Sequence, residues 1–212
     1  MATRPPAFIP SASHDISRPY FTQKVRLHSL HAQQVFDRGF ELCANAIFSL
    51  SVVLRVIGTD EQAREVETIV DDRLDKMFED MRTEVARLEK LADANGIEFA
   101  GVTYSNPKEL EARITSPRAV RYIGLIREFD GLVGKFDTLW LSGSIPDGNY
   151  SSSLYEWKRR LLRIAGGFRG LASRASIAAR KNASRVAETD SASPAIAVTP
   201  TETESPVSAL VA

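Results

Sequence analysis

The residue types that most often catalyse reactions or bind metal ions are sparse in this chain. It contains three histidines, His14, His28 and His31, and a single cysteine, Cys43. A zinc site needs several such ligands at defined spacing, and a nucleophilic thiol needs a nearby base. Cys43 lies in an apolar helical pattern, where a buried thiol behaves as a small hydrophobic residue. We therefore expect no enzyme activity, no bound metal and no cofactor.

Sequence motifs of common active sites do not occur either. Gly166-Gly167 lies inside a helical pattern, without the preceding strand or the Lys-Ser/Thr pair of a phosphate-binding loop. The chain has no G-x-S-x-G or H-E-x-x-H motif. The many acids of 60–95 are typical of a solvated helix face rather than of a general acid–base pair.

Basic residues form the first pattern that suggests a function. Lys24, Arg26 and His28 alternate with Val25 and Leu27, and this period of two predicts a short strand over 24–29. A two-stranded ribbon fits the major groove of DNA and would present such a polar face to base edges. An amphipathic edge strand with solvated charges explains the same alternation equally well.

A second basic pattern lies near the C-terminus. Nine lysines and arginines occur from Lys158 to Arg185, and no acid lies between Glu156 and Glu188. Such a cluster can bind nucleic-acid phosphates with a salt-dependent affinity. Cations at the C-terminal end of a helix, where they favour the helix dipole, are the alternative interpretation.

The apolar spacing predicts a mostly helical fold around these residues. Ser116 and Pro117 are typical of a helix start, Thr59 is a candidate cap, and Asn95-Gly96 predicts a left-handed helix end. A second strand is expected within 108–115, with alternation clearest at 110–114. The predicted helices cover 30–57 with a break near Gly39, 60–95, 117–141, and a last segment from 151–153 to 175.

Length and composition predict one folded domain with two tails. The chain has 212 residues, 27 basic and 27 acidic residues, and 43% hydrophobic residues, which excludes a uniformly basic protein and wholesale disorder. We expect a flexible arm at 1–22, a helical domain at 23–182 and a disordered Ser/Thr/Pro/Ala-rich tail at 183–212. No secretory signal or membrane span is evident, so a cytoplasmic protein without membrane contact is predicted.

Three stretches of the sequence resemble one known family. They are VRLHSLHAQQVFDRG at 25–39, VTYSNPKELEARITSPRAVRYIGLIREFDGLVGKF at 102–136, and the late helix with Lys158-Arg159-Arg160-Leu161. In the middle stretch the matching positions are Tyr122, Leu125, Glu128, Phe129, Asp130, Leu132 and Val133. Over roughly 24–175 the chain resembles the AcaB-like family, proteins of conjugative plasmids and integrative conjugative elements.

The resemblance implies a transcriptional regulator of conjugative transfer genes, with activation as the preferred direction. It implies a homodimer that binds double-stranded promoter DNA through an elaborated ribbon-helix-helix-like domain, mainly α with one or two short β-strands. In a ribbon-helix-helix dimer each subunit contributes one strand to the ribbon. Either predicted strand could be the one that enters the DNA groove, although Glu109 and Glu111 make the second strand less basic.

The residues expected to contact DNA follow from these patterns and from the implied function. Three lie on the first strand, three lie near the second strand and the helix after it, and three are candidates to hold phosphates. They are Lys24, Arg26 and His28; Arg113, Arg118 and Arg121; and Arg159, Arg160 and Arg163. The acidic tail either contacts RNA polymerase or only keeps the chain soluble.

A second function class fits part of the pattern. The heptad-like apolar stripe of 60–95 would suit a helical interaction or scaffold protein of a conjugative element, for which DNA would be irrelevant. Ordinary core packing explains that stripe equally well.

Overall fold

The fold is mainly helical, with one small sheet. The computed structural model describes residues 19–57, 60–99 and 101–191. The mainly α class with two short strands is confirmed. In chain order the elements are β1 (Phe21–Leu27), α1 (Leu30–Val35), a π-helical turn (Phe36–Phe40), α2 (Glu41–Ile57), α3 (Asp60–Ala94), β2 (Lys108–Ile114), α4 (Pro117–Leu141) and α5 (Asp147–Ser191).

The two strands pair with each other inside one chain. β1 and β2 are antiparallel, with Phe21 opposite Ile114 and Leu27 opposite Lys108. Val25 and Leu27 point into the core, and the alternate positions Lys24 and Arg26 are exposed, as the period of two predicts. This ribbon therefore differs from the expected one, in which each subunit of a dimer contributes a single strand.

The predicted break near Gly39 is a π-helical turn between α1 and α2. A Cβ at Gly39 would lie 2.8 Å from Tyr122 Oη and 3.1 Å from Leu162 Cδ2. Tyr122 is fully buried, and its hydroxyl donates to the backbone carbonyl of Leu161 at 3.2 Å. Only glycine fits here without moving a buried tyrosine, so the turn lets the helix pass close to α4 and α5.

The long helix α3 ends where the sequence predicts. Gly96 has a φ of 66°, in the left-handed region that favours glycine, and the Ile97 N–H donates to the Ala92 carbonyl at 2.9 Å. The apolar stripe of α3 is buried within the chain's own core at Val70, Leu74, Met77, Met81 and Leu88. The predicted cap Thr59 lies outside the described residues.

Helix α4 runs through the centre of the core. Ser116 caps it by accepting the Ala119 N–H at 3.3 Å, and Pro117 occupies the first turn, as predicted. Its apolar face buries Tyr122, Phe129 and Phe136. Two acids, Asp130 and Asp137, are also buried on this helix, and both accept hydrogen bonds from other elements.

Helix α5 is longer than the sequence predicts. It begins at Asp147 rather than at 151–153 and continues to Ser191, beyond the predicted end at 175. The turn-forming residues of 147–150 join the helix because Tyr150 is held in place from two sides. Its hydroxyl donates to Asp137 at 2.5 Å, and its ring stacks on Trp140 at 5.0 Å.

The predicted domain limits differ slightly from the element bounds. β1 begins at Phe21, inside the predicted arm, and α5 covers 183–191, inside the predicted tail. Of the two predicted tails, residues 1–18 and 192–212 lie outside the described residues, and residues 19 and 20 are described but belong to no element. Among the described helices, none is long and apolar enough to cross a membrane.

Candidate nucleic-acid interface

The outer face of the ribbon carries charges of both signs. Opposite pairs on this face are Thr22 with Arg113, Lys24 with Glu111, and Arg26 with Glu109. Lys24 Nζ lies 2.9 Å from Glu109 Oε1, and the hydrogen bond and charge of that carboxylate raise the pKa of Lys24. The face thus presents three cations and two carboxylates, and Lys24 is already engaged by one of them.

Arg26 and Arg113 are the more available cations of this face. Both are exposed, and Arg26 makes no ion pair with any described residue. The Arg113 guanidinium lies 5.7 Å from the centre of the Tyr20 ring, in a cation–π arrangement. The guanidinium donors of both residues remain open to a ligand.

His28 lies beyond the end of β1 and is anchored to α4. Its backbone N–H donates to Asp130 Oδ2 at 2.8 Å, and its Nδ1 lies 3.0 Å from the same oxygen. The Ser29 N–H donates to Asp130 Oδ1 at 2.8 Å. Asp130 therefore fixes the turn between β1 and α1, and His28 is part of that anchor rather than of the strand's outer row.

Arg118 and Arg121 form ion pairs that join α4 to α3. Arg118 Nη2 lies 2.8 Å from Asp71 Oδ2, and Arg121 Nη1 lies 2.6 Å from Asp71 Oδ1. Arg118 also reaches Glu67, and Arg121 also pairs with Asp75. The structure thus places these two predicted DNA contacts on acids of the same chain, between two helices.

This ion-pair cluster predicts a loss of stability in acid. Partial burial acts to raise the pKa of Asp71, but hydrogen bonds and charge from Arg118 and Arg121 outweigh it and hold the pKa below its ordinary 3.8. A carboxyl with a lowered folded-state pKa stabilises fully above the unfolded pKa, and loses that contribution as pH falls through the folded value. We expect Asp71→Asn to lower the free energy of unfolding by about 1 kcal/mol at pH 7.

Urea unfolding from pH 7 to pH 2 measures this contribution. The difference between the wild-type protein and Asp71→Asn should stay constant down to about pH 5 and shrink below the ordinary carboxyl pKa. Asp72→Asn is the control, because Asp72 is the exposed neighbour of Asp71 on α3. A difference that does not change with pH would contradict the ionic origin.

Cations also follow the exposed face of α5. The residues of this stripe are Arg159, Arg163, Arg169, Arg174, Arg180 and Lys181, all exposed and spaced to share one side of the helix. None of the six makes an ion pair with a described side chain, and no acid interrupts 157–187. We call them the α5 stripe.

Arg160, which the sequence grouped with Arg159 and Arg163, does not belong to the α5 stripe. Arg160 pairs with Asp80 of α3, and its guanidinium lies 4.3 Å from the centre of the Trp157 ring. Arg160 thus fastens α5 to α3, while Arg159 and Arg163 remain open on the surface. The sequence groups all three as one basic cluster, because only the packing of α5 shows which of them meets an acid on α3.

Sequence reasoning missed a cavity beside the ribbon. It has a volume of about 500 Å³ and lies against one face of α4, next to the end of β1. Arg127, on the wall, has no hydrogen-bond or ion-pair partner within the described part of the chain. The spacing of Arg127, Asp130, Gly131 and Gly134, a polar and glycine stripe opposite an apolar one, was the available signal.

These features define a mainly helical protein with an intrachain two-stranded ribbon and a long cationic helix. Among solved structures, the chain is similar to the crystal structure of selenomethionine-containing AcaB from uropathogenic E. coli, at 36% identity and a TM-score of 0.75. The match covers 87% of this chain and 94% of that one. The chain belongs to the AcaB-like family, as the sequence resemblance indicates.

No protein-family model matches the chain, and no curated protein is significantly similar to it.

Proposed function

We propose that this chain is a transcriptional regulator of conjugative transfer genes that binds double-stranded promoter DNA as a cytoplasmic homodimer, without enzyme activity. Membership of the AcaB-like family supports the biological setting. The observation that carries DNA binding is the α5 stripe, six exposed cations without an ion-pair partner among the described residues. Activation is the direction that the family resemblance favours.

The length of the stripe suits the backbone of a DNA duplex. From Arg159 to Lys181 the helix rises about 33 Å at 1.5 Å per residue. At 3.4 Å per base pair that length corresponds to about ten base pairs. Exposed arginines along such a helix hold phosphates and position the protein, but they do not read sequence.

We assign the preference for one DNA sequence over another to the ribbon. Arg26 and Arg113 are exposed on its outer face, and arginine recognises guanine edges in the major groove. Glu109 and Glu111 on the same face can accept from cytosine amino groups, and they repel phosphates. Lys24, His28, Arg118, Arg121 and Arg160 contribute to the fold through the contacts described above.

The scaffold alternative loses the feature that suggested it. The apolar stripe of α3 is buried against the chain's own helices and is not available to a partner helix. Because this stripe is buried, the DNA-binding proposal is favoured over the scaffold proposal.

Fluorescence anisotropy with the purified protein tests the proposal. The duplexes are the region upstream of the neighbouring transfer genes and a scrambled sequence of equal length, each titrated from 50 to 300 mM salt. We expect tighter binding to the promoter and a logarithmic affinity that falls linearly with log salt, by about 0.9 per phosphate contacted. Absence of binding to both duplexes at low salt would overturn the proposal.

Arg26→Ala should reduce promoter preference and leave the fold intact. The side chain is exposed and makes no ion pair within the described residues, so its removal should change stability by less than about 0.5 kcal/mol. Loss of one base contact costs about 1–3 kcal/mol, equal to a 5- to 150-fold drop in promoter affinity. Arg38→Ala, on the π-helical turn, is the control, and anisotropy against both duplexes is the measurement. Unchanged promoter affinity would remove β1 from the interface.

A further inference from the structure

The cavity beside the ribbon has the charge of an anion-binding site. The cations Arg26, Arg127 and Lys135 line it, and Asp130 is the one acid among its described lining residues. Both Asp130 oxygens already accept hydrogen bonds, from His28 and Ser29. Lys135 is engaged by Glu89 at 2.9 Å, which leaves the two arginines as the open donors.

Glycines make the room on the α4 side. Arg127, Asp130, Gly131, Gly134, Lys135 and Thr138 recur at spacings of three and four, so they form one face of the helix. A Cβ at Gly131 would meet nothing within 4 Å, so the space above this position is empty. A glycine inside a helix costs about 1 kcal/mol relative to alanine, and neither a turn nor close packing requires one here.

An aromatic wall faces the same space. The rings of His28 and Tyr104 lie 6.3 Å apart, tilted by 34°, and both border the cavity. The Tyr104 hydroxyl donates to the buried Asp137 at 2.5 Å, and burial together with that bond raises the pKa of Tyr104 far above its ordinary value. The hydroxyl bond restrains the ring where it borders the cavity, and an aromatic ring there can contact a planar group.

We propose that this cavity binds a mononucleotide-sized phosphorylated ligand, with the phosphate on Arg26 and Arg127 and a planar ring against Tyr104. A volume of about 500 Å³ lies within the range of small-molecule sites. Guanidinium groups bind phosphate through paired, charge-assisted hydrogen bonds. Arg26 belongs both to the cavity and to the outer face of the ribbon, so ligand and DNA compete for it; this coupling alone rests on the proposed function.

Isothermal titration without DNA tests the site on the full chain. The probes are AMP, inorganic phosphate and adenosine. We expect AMP to bind at least tenfold more tightly than the other two, because it alone carries both the phosphate and the ring. No heat with AMP at millimolar concentration, or inorganic phosphate binding as tightly as AMP, would overturn the proposal.

Two variants locate the binding. Arg127→Gln should weaken AMP at least tenfold, and Gly131→Leu should abolish binding by filling the cavity. Arg38→Gln, an exposed arginine elsewhere, and Gly148→Leu, an exposed helical glycine with equally open surroundings, are the matched controls. AMP binding that survives Gly131→Leu would place the ligand elsewhere and contradict the proposal.

A DNA phosphate is the other source of the same chemistry, and duplex titrations distinguish it. If AMP fails to bind but Gly131→Leu weakens duplex binding, the cavity receives a backbone phosphate and the small-ligand proposal is wrong. If AMP binds and the wild-type protein binds no duplex, the cavity proposal stands and the proposed DNA-binding function fails. When both hold, saturating AMP should lower promoter affinity, and Gly131→Leu should remove that effect.

Discussion

Replacing Arg159, Arg163, Arg169 and Arg174 together by glutamine is expected to lower duplex affinity about 10³-fold at 0.1 M salt. Each residue is exposed on α5 and makes no ion pair with a described side chain, so each guanidinium is free to neutralise one phosphate. Four lost contacts should also reduce the salt slope by about 3–4. The loss should be similar for promoter and scrambled duplexes, because phosphate contacts carry no sequence information.

A variant with the same change in net charge provides the control. Arg38, Arg64, Lys76 and Lys90 are exposed cations on other elements, and their joint replacement by glutamine removes four charges away from the α5 stripe. Anisotropy over the salt series, with circular dichroism to verify folding, compares the two variants. Equal loss in both would mean that net charge alone drives the affinity and that α5 has no special role.

The largest expected effect on stability comes from Asp130→Ala. This carboxylate is 8% exposed and accepts the backbone N–H groups of His28 and Ser29. Its removal leaves two donors without a partner at the start of α1 and opens a gap next to the α4 core. We expect the free energy of unfolding to fall by about 3–5 kcal/mol, a large part of the stability of an ordinary domain.

Urea unfolding followed by circular dichroism measures the change. Glu128→Ala is the control, because Glu128 is exposed on the same helix two residues away, and it should alter stability by less than about 0.5 kcal/mol. Asp130→Asn should fall between the two variants, since its amide oxygen can still accept from one backbone N–H. Equal stability of Asp130→Ala and Glu128→Ala would show that the β1–α1 turn does not depend on this anchor.

Local patterns were enough to predict most elements. The caps Ser116 and Gly96 and the alternation of β1 depend on neighbouring residues, which the sequence displays directly. The start of α5 was misplaced because Tyr150 finds its partners, Asp137 and Trp140, on another helix. Turn propensity at 147–150 was therefore overridden by packing that the local sequence does not contain.

Side-chain partners across elements were beyond prediction. Whether Arg118 faces solvent or Asp71 depends on how α4 lies against α3, 47 residues away in sequence. The pairing of β1 with β2 likewise joins segments separated by three helices. The residue types of Arg118 and Lys24 suggested contact with DNA. The long-range packing instead pairs both cations with acids of the same chain.

Because β1 and β2 pair within a single chain, formation of the ribbon does not depend on protein concentration. A ribbon assembled from two subunits dissociates on dilution, because its stability depends on protomer concentration. Here the connecting chain sets a fixed effective concentration for the second strand, so the entropy of closing that loop is part of folding itself. A cell that holds only a few copies of the protein would still hold each copy with its ribbon formed. If the chain binds DNA as proposed, association of two copies would raise avidity for a repeated site and would not be needed to build the ribbon.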